Sequence, residues 1–495
     1  MFAPPTHSYF EELSKERILD IYEAENVDSC LVSVGGQIPN TLALPLHEAG
    51  MNITGTSPLM IDSAEDRQKF SDLCDLHEID QPKWLNLTSI EAAFDFADEV
   101  GYPVLVRPSY VLSGAAMNVA YTAGELAKHL AEAEEVSADK PVVITEFIEG
   151  GREIDVDAVA DDGIVIAHAI SEHVENAGIH SGDATLMLPV QTIPDEEMRL
   201  VRETIRKIAI ALEITGPFNM QLIAKNGEVK IIETNLRASR TFPFSSKTTG
   251  ADFIGMATRA MVGEPQIDHI NNVNVALEGA NDKPVHPQGY VGVKVPMFSF
   301  KRLLGADPTL GVEMASTGEV ACYGSNKEEA FLKALLSTDA KFEMKNKSVL
   351  VSIQDKLQKD FLPSARKLES ELGYTLYATN KTAKYLNEEG IRCIEVGYPG
   401  DGNSVGKDDI ELMIRNNKID MVLMFANNFS EKVETNYDIR RLAVDFGVPL
   451  LTNLQVAELF ADSMMDAKKK CNGDLLQYLE TKTLQEHYNE SFPKK

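Results

Sequence analysis

In "IIETNLRASR", residues 231–240, Glu233, Asn235 and Arg237 alternate and share one face if the segment is a strand, with Arg240 close behind. An acid, an amide and two guanidinium groups are poor material for a core and good material for holding charge. Gln221 lies upstream across an Asn226-Gly227 pair, a hairpin signal. A plain two-residue turn would pair Lys225 with Glu228 and leave Gln221 and Glu233 on opposite faces. An odd-length loop, a type I turn with Gly227 at a left-handed bulge, would bring them together, and we expect that bulge. Gln221, Glu233 and Asn235 then offer three oxygen ligands to a hard cation such as Mg²⁺, which completes its shell with water and phosphate oxygens. Arg237 and Arg240 would clamp the phosphate or an anionic acceptor. The competing reading is an ion-paired strand end at a surface.

Two other stretches carry chemistry. Arg107 ends an apolar strand and opens "RPSYVLSGAAM", whose small residues would let backbone amides approach phosphate oxygens. Read alone, such a loop is only a loop. The segment "SEHVENAGIHSGDATL" gathers Glu172, His173, Glu175, His180 and Asp183 around two glycines. Its histidine spacing fits no usual zinc pattern, so a polar loop lining a cleft is the favoured reading.

These residues need elements to position them. The first sixty residues read as part of an α/β unit: a strand in 27–34, a helix near 41–49, a short strand in "MNITGTSP", and before them a polar helix from about Tyr9. We expect this region, 1–60, to be a truncated domain. From 61 to 346, hairpins hinged at Asp162-Gly163 and Asn226-Gly227 alternate with helices, among them one whose Met198, Val201, Ile205 and Ile208 recur at helical spacing. That pattern implies an α+β domain with antiparallel sheets. From 347 to 464, short β-rich runs alternate with helices, the rhythm of a doubly wound parallel sheet. A polar helical tail fills 465–495. The fold class is therefore α/β and α+β, in several domains.

With 495 residues, 44% of them hydrophobic and 25% charged, the chain has the balance of a soluble globular protein. Its formal charge of −29 argues against nucleic-acid or anionic-membrane partners, although an anionic substrate needs only a few local cations. The five cysteines lack CxxC spacing and read as unpaired thiols in a reducing compartment. No apolar run is long enough to span a membrane. We expect an intracellular soluble protein, in the mitochondrial matrix or the cytoplasm.

Taken together, "RPSYVLSGAAM", "ISEHVENAGIHSGDATL", "GPFNMQLIAKNGEVKIIETNLRASR" and "EMASTGEVACYG" closely resemble the carbamate-phosphorylating, C-terminal ATP-grasp half of the carbamoyl phosphate synthetase large chain. The resemblance implies that 1–60 is part of a pre-ATP-grasp domain, that 61–346 is the ATP-grasp domain with its C-terminal extension, and that 347–464 is an allosteric domain like methylglyoxal synthase. It implies ATP as co-substrate with Mg²⁺ or Mn²⁺, and K⁺ as a further cation. By position it assigns Arg67 and Arg107 to the nucleotide phosphates, Glu146 and Ile148 to the adenine end, and Glu153 to the ribose side. Gly178, Ile179, His180 and Ser181 would line the same pocket. Gln221, Glu233 and Asn235 would hold the metal and meet ATP, with Asn235, Arg237 and Arg240 as the catalytic set against the phosphoryl group and carbamate.

In the last domain the resemblance assigns Thr379, Thr382, Tyr398, Asn427 and Asn436 to a small-molecule allosteric effector. Ammonia-type members take N-acetylglutamate there and pyrimidine-pathway members answer to nucleotides. This chain departs from the ammonia-type pattern at Met424 and Tyr398, where that group has Asn and Trp. The family's bicarbonate-activating N-terminal half and its glutamine amidotransferase subunit or domain are not in this sequence. The implied activity is phosphorylation of carbamate to carbamoyl phosphate, for the urea and arginine or the pyrimidine pathway. Two alternatives stand beside it: a truncated, non-catalytic remnant that binds nucleotide or effector and pairs with a full-length synthetase, and another ATP-grasp ligase such as a biotin-dependent carboxylase subunit.

Overall fold

Hairpin, helix and parallel-strand signals all become elements in the computed structural model, which describes residues 7–87, 89–108, 117–136, 142–266, 289–338, 346–398, 409–425 and 433–491. The chain divides into two units. The first is Met1–Ile148, Ile154–Ile170 and Thr192–His286; the second is Glu149–Glu153, Ser171–Gln191 and Pro287–Lys495.

In the first unit, β1 (Cys30–Leu31) and β2 (Ile53–Thr54) pair in parallel, β1 being shorter than the expected 27–34. The polar helix starts at Lys15, not Tyr9, because Ser14 caps it by accepting the Arg17 amide. The helix expected at 41–49 is two, Gln37–Thr41 and Ala43–Glu48. Pro45 has no amide to give to the Thr41 carbonyl, so one continuous ladder cannot form.

Strands β3 (Trp84–Asn86), β4 (Val104–Pro108), β5 (Asn118–Ala120) and β6 (Val142–Glu146) form an antiparallel sheet in the order β3-β6-β4-β5. Helices Ile90–Val100 and Ala123–Val136 share its core through Ala93, Ala97, Leu126, Val104 and Ile144. The remaining strands are β7 (Arg152–Asp161), β8 (Ile164–Asn176), β9 (Leu186–Leu188), β10 (Gly216–Lys225) and β11 (Glu228–Asn235). Within the first unit β11, β10, β7 and the start of β8 lie side by side in that order. The turn residues Asp162-Gly163 and Asn226-Gly227 all have positive φ, the geometry of a type I′ hairpin. Helix Asp195–Ala211 packs on β10 and β11 and buries Met198, Val201, Ile205 and Ile208, as their spacing predicts.

In the second unit the end of β8 pairs with β9, β9 with β12 (Val291–Met297), and β12 with β13 (Gly318–Gly324), all antiparallel. A parallel sheet follows, in the order β16 (Cys393–Glu395), β15 (Thr375–Ala378), β14 (Ser348–Ile353), β17 (Met421–Phe425), β18 (Leu450–Leu451). Every residue of β14 and β17 is buried, as parallel strands covered on both faces require. One core joins Val293 of β12, Phe331, Val351 of β14, Leu376 of β15 and Phe460. The boundary expected at Met464 falls inside helix Leu454–Cys471, and Tyr478 of the expected tail belongs to the same core.

Gly324 ends β13 where the following helix, Lys327–Leu336, turns back over it. A Cβ there would stand 2.5 Å from the Ala330 nitrogen and 2.9 Å from the Glu329 Cβ. Gly324→Ala should therefore destabilise the chain by about 1–3 kcal/mol, as overpacking does. Denaturant unfolding checks this, and an unchanged midpoint would mean the helix start yields without cost.

Candidate active site

The site begins with a register shift. From the turn, Lys225 pairs with Glu228 and Leu222 with Ile231, but Gln221 pairs with Glu233, leaving Ile232 without a partner on β10. Gln221 and Glu233 do stand opposite each other, as the sequence led us to expect. The extra residue, however, is Ile232 within β11, and the Asn226-Gly227 turn is the plain two-residue form. Just before the extra residue, the Ile231 amide donates to the Asp80 carbonyl at 2.9 Å.

Around Glu233 the first unit gathers cations. Its Oε2 accepts from Arg67 at 3.0 Å and lies 3.7 Å from Arg107, and its Oε1 accepts from the Asn235 amide at 3.2 Å. Asn235 Oδ1 in turn accepts from Arg237 at 3.0 Å. Arg237 also donates to Gln37 Oε1 at 3.1 Å, and Gln37 and Asn40 both donate to Glu65. Arg107 is buried, and its Nε has no hydrogen-bond partner. Burial and the Arg67 charge push its guanidinium down to about 9, while Glu233 holds it up; it remains cationic at neutral pH. Burial raises the Glu65 carboxyl above its ordinary range against its amide donors and Arg237.

Glu146 ends β6, accepts from the Lys83 amide at 3.3 Å and stands 3.6 Å from Lys230 Nζ. Ile148 lies just beyond it, half-buried, and Arg240 is exposed after β11. Most of the Arg107 loop, 109–116, lies outside the described residues.

The donors Gln221, Glu233 and Asn235 are oxygens, the right chemistry for Mg²⁺. Only one carries charge, so the set suits a cation held jointly with phosphate rather than by protein alone. Among the described residues no group of three or more His, Cys, Asp and Glu side chains could hold a metal ion.

The second unit brings together Glu153, His173, Glu175, His180, Ser181 and Lys294. His173 is buried, neither ring nitrogen has a hydrogen-bond partner, and Nδ1 lies 4.0 Å from Glu153. Burial, Lys294 and His180 push its ring down to about 3, so it is neutral. Lys294, fully buried, donates to the Ser181 carbonyl at 3.2 Å. His180 Nδ1 accepts from the Gly182 amide, and the Asp183 carboxylate accepts the amides of Ala315 and Ser316, each at 2.8 Å. Gly178 has φ +117, a conformation few other residues adopt. Ile179 is half-buried beside it. A cavity of about 370 Å³ in this unit is lined by Glu175, Asp183, Phe300, Phe331 and Thr452, among others.

Comparison with known proteins decides the family. Residues 66–268 match the model of the carbamoyl-phosphate synthase L chain, ATP binding domain, residues 3–63 its preATP-grasp domain, and residues 360–452 the MGS-like domain. The ammonia-type carbamoyl-phosphate synthase of Aquarana catesbeiana is 50% identical over 94% of this chain. The chain belongs to the carbamoyl phosphate synthase large-chain family. The human ammonia-type enzyme is also 50% identical, over 95% of the chain, and the multifunctional protein pyr1-3 of Dictyostelium discoideum 50% over 92%. The chain spans 30%, 31% and 20% of these relatives respectively. In fold it resembles the biotin carboxylase domain of Hydrogenobacter thermophilus 2-oxoglutarate carboxylase, with a TM-score of 0.53 at 17% identity over 66% of this chain and 77% of that one.

The family's MGS-like region is the parallel sheet. Thr379 and Thr382 sit where β15 meets helix Asn380–Glu388. Their hydroxyls reach the end of β14, Thr379 at 3.3 Å from Ser352 Oγ and Thr382 accepting the Ile353 amide at 3.1 Å. Tyr398 packs against the core that contains Val396 and Val422, and Asn436 is buried. Asn427 lies outside the described residues.

Sequence reasoning missed Asp155, Asp157, Asn219, Gln37 and Glu65. In "REIDVDAVAD" an acid recurs at every second position of an apolar strand, a readable sign that one face of β7 is polar. Gln37 and Glu65 carry no such local signal.

Burial pushes Glu175 up to about 7, against hydrogen bonds from Thr185 and the charge of Lys294. A carboxyl with a folded pKa above its unfolded one contributes stability that is whole below the unfolded value and lost as pH rises through the folded value. Glu175→Gln, which keeps an acceptor for the Thr185 amide, should lose this dependence. Between pH 4 and 8 the wild type should lose about 3 kcal/mol relative to the variant in denaturant unfolding. A constant difference would put Glu175 in the ordinary range.

Proposed function

We propose that this chain transfers the γ-phosphoryl group of ATP to carbamate, as the C-terminal synthetase half of a carbamoyl phosphate synthetase. The observation that carries the reading is the convergence of Arg67 and Arg107 on one oxygen of Glu233, next to the Asn235–Arg237 pair. Carbamate arrives as an anion and needs no general base. Its oxygen attacks the γ-phosphorus in line, the bond to the β–γ bridging oxygen breaks, and carbamoyl phosphate and ADP leave. The chain's task is to position two anions and to stabilise charge gathering on the transferred oxygens. Arg107 and Arg67 face the nucleotide phosphates, while Arg237 and Arg240 face the phosphoryl group and carbamate. Gln221, Glu233 and Asn235 would hold Mg²⁺, or Mn²⁺ in its place; when bound, the cation neutralises phosphate charge and orients the β- and γ-oxygens.

In the same unit, Glu146 and Ile148 would meet the nucleotide's adenine end. We infer that carbamate is supplied by the bicarbonate-activating half and amidotransferase partner that the family's longer members imply. The MGS-like region would bind an anionic effector at the amino end of helix Asn380–Glu388, where the Thr379 side chain leaves the first amides uncapped.

The test is the reverse reaction, ATP formation from carbamoyl phosphate and MgADP by the purified chain. Wild type should make ATP, and Glu233→Gln should lower the rate at least about 100-fold, as loss of a transition-state charge contact does. Because the glutamine oxygen still accepts from Arg67, unfolding stability should fall by no more than about 2 kcal/mol. A folded wild type that makes no ATP would favour the non-catalytic, nucleotide- or effector-binding reading. A variant within twofold of wild type would remove Glu233 from the metal set.

A further inference from the structure

A buried polar cluster lies behind the arginine clamp, on residues that the mechanism above does not use. Asp157, on β7, is 2% exposed. Its Oδ1 accepts from Asn219 Nδ2 at 3.0 Å and from Ser239 Oγ at 2.6 Å, and its Oδ2 accepts from Ser245 Oγ at 2.7 Å. Asn219 also donates to Asp155 Oδ1 at 2.6 Å and pairs in register with Asn235. Ser239 sits between Arg237 and Arg240, and its Oγ additionally accepts the Thr241 amide at 3.1 Å.

Each partner of Asp157 belongs to a different element around it. Asn219 holds the strand opposite Asn235, Ser239 holds the arginine-bearing segment, and Ser245 holds helix Phe242–Thr249, into which that segment runs. Between Leu236 and Thr241 the ties include the Ala238 amide on the Ser33 carbonyl, at 2.9 Å, the Arg237 guanidinium on Gln37, and Ser239 on Asp157, of which the last is the short side-chain tie next to both arginines. A guanidinium on a long flexible stem is an accurate anion ligand only if its backbone is fixed, since a displacement near 1 Å costs about 100-fold in rate. We propose that Asp157 is a positioning residue for the clamp, holding the backbone of Arg237 and Arg240 through Ser239. This role rests on the carbamate-phosphorylating reading for its consequence, not for its geometry.

The tie should act on the anion the two arginines meet and not on the nucleotide. In the reverse reaction, Ser239→Ala and Asp157→Asn should each raise the KM for carbamoyl phosphate at least about tenfold, while the KM for MgADP stays within about twofold. Ser245→Ala breaks the contact to the helix only and should leave both KM values within about twofold while lowering the unfolding midpoint. Equal effects of Ser239→Ala and Ser245→Ala, or equal shifts in both KM values, would reduce Asp157 to a structural residue and overturn the proposal. A second readout does not depend on turnover. Amide hydrogen exchange at Ala238 should speed up at least about tenfold in Ser239→Ala relative to wild type, with exchange in β10 unchanged. Unchanged Ala238 exchange would overturn the proposal even in an active chain. A wild type without turnover, but with faster Ala238 exchange in the variant, would refute the reaction and keep Asp157 as the anchor of the segment.

Discussion

Ile232 has no partner on β10, and the geometry of the candidate site follows from that one extra residue. A β-ladder has a period of two, so without it Gln221 would face Ile232, and Glu233 would project to the other side. Beside the bulge, the Ile231 amide is satisfied by the Asp80 carbonyl. The shift brings Gln221, Glu233, Asn219 and Asn235 onto a common polar face. The turn itself, with positive φ at both central residues, contributes only an ordinary hairpin.

Charge is the second constraint. Arg67, Arg107 and Arg237 stand against Glu233 and Glu65, an excess of one positive charge in a chain whose formal charge is −29. Arg107 is nearly inaccessible, shares its carboxylate with Arg67 and leaves its Nε unpaired. Such an arrangement is costly for a purely structural ion pair, because a buried charge needs full compensation. It is well matched to a ligand that brings several negative oxygens. The acidic remainder of the surface slows the approach of anions, so recognition has to come from this local reversal of sign.

What the sequence revealed depended on how local the signal was. The Asp162-Gly163 and Asn226-Gly227 turns, the helix carrying Met198 to Ile208, and the alternating strands and helices after Lys347 were legible, because each is set by neighbours in the chain. The alternation of Glu233, Asn235 and Arg237 was legible for the same reason. The position of the bulge was not, since no residue type in β11 marks Ile232 as the extra residue. Gln37 and Glu65 join the network through tertiary packing alone. The helix expected at 41–49 is broken by a local feature, Pro45, whose missing amide outweighs the helical spacing of its apolar flanks.

The change of rhythm after Lys347 reads as the start of a new domain, yet packing within the second unit carries across it. Val293 and Val295 of β12, Phe331 and Leu335 of the next helix, and Val351 and Leu376 of the parallel sheet share one core. Close-packed side chains do not let one layer shift while its neighbour stays still. Lys294 lies between Val293 and Val295 on the same strand, with its ammonium group on the Ser181 carbonyl. Any repacking of the parallel sheet therefore bears on β12 through that core, and β12 holds the turn that contains His180 and Ser181. The physical link between the parallel sheet and the Ser181 turn is then a shared core, one that a flexible linker could not supply.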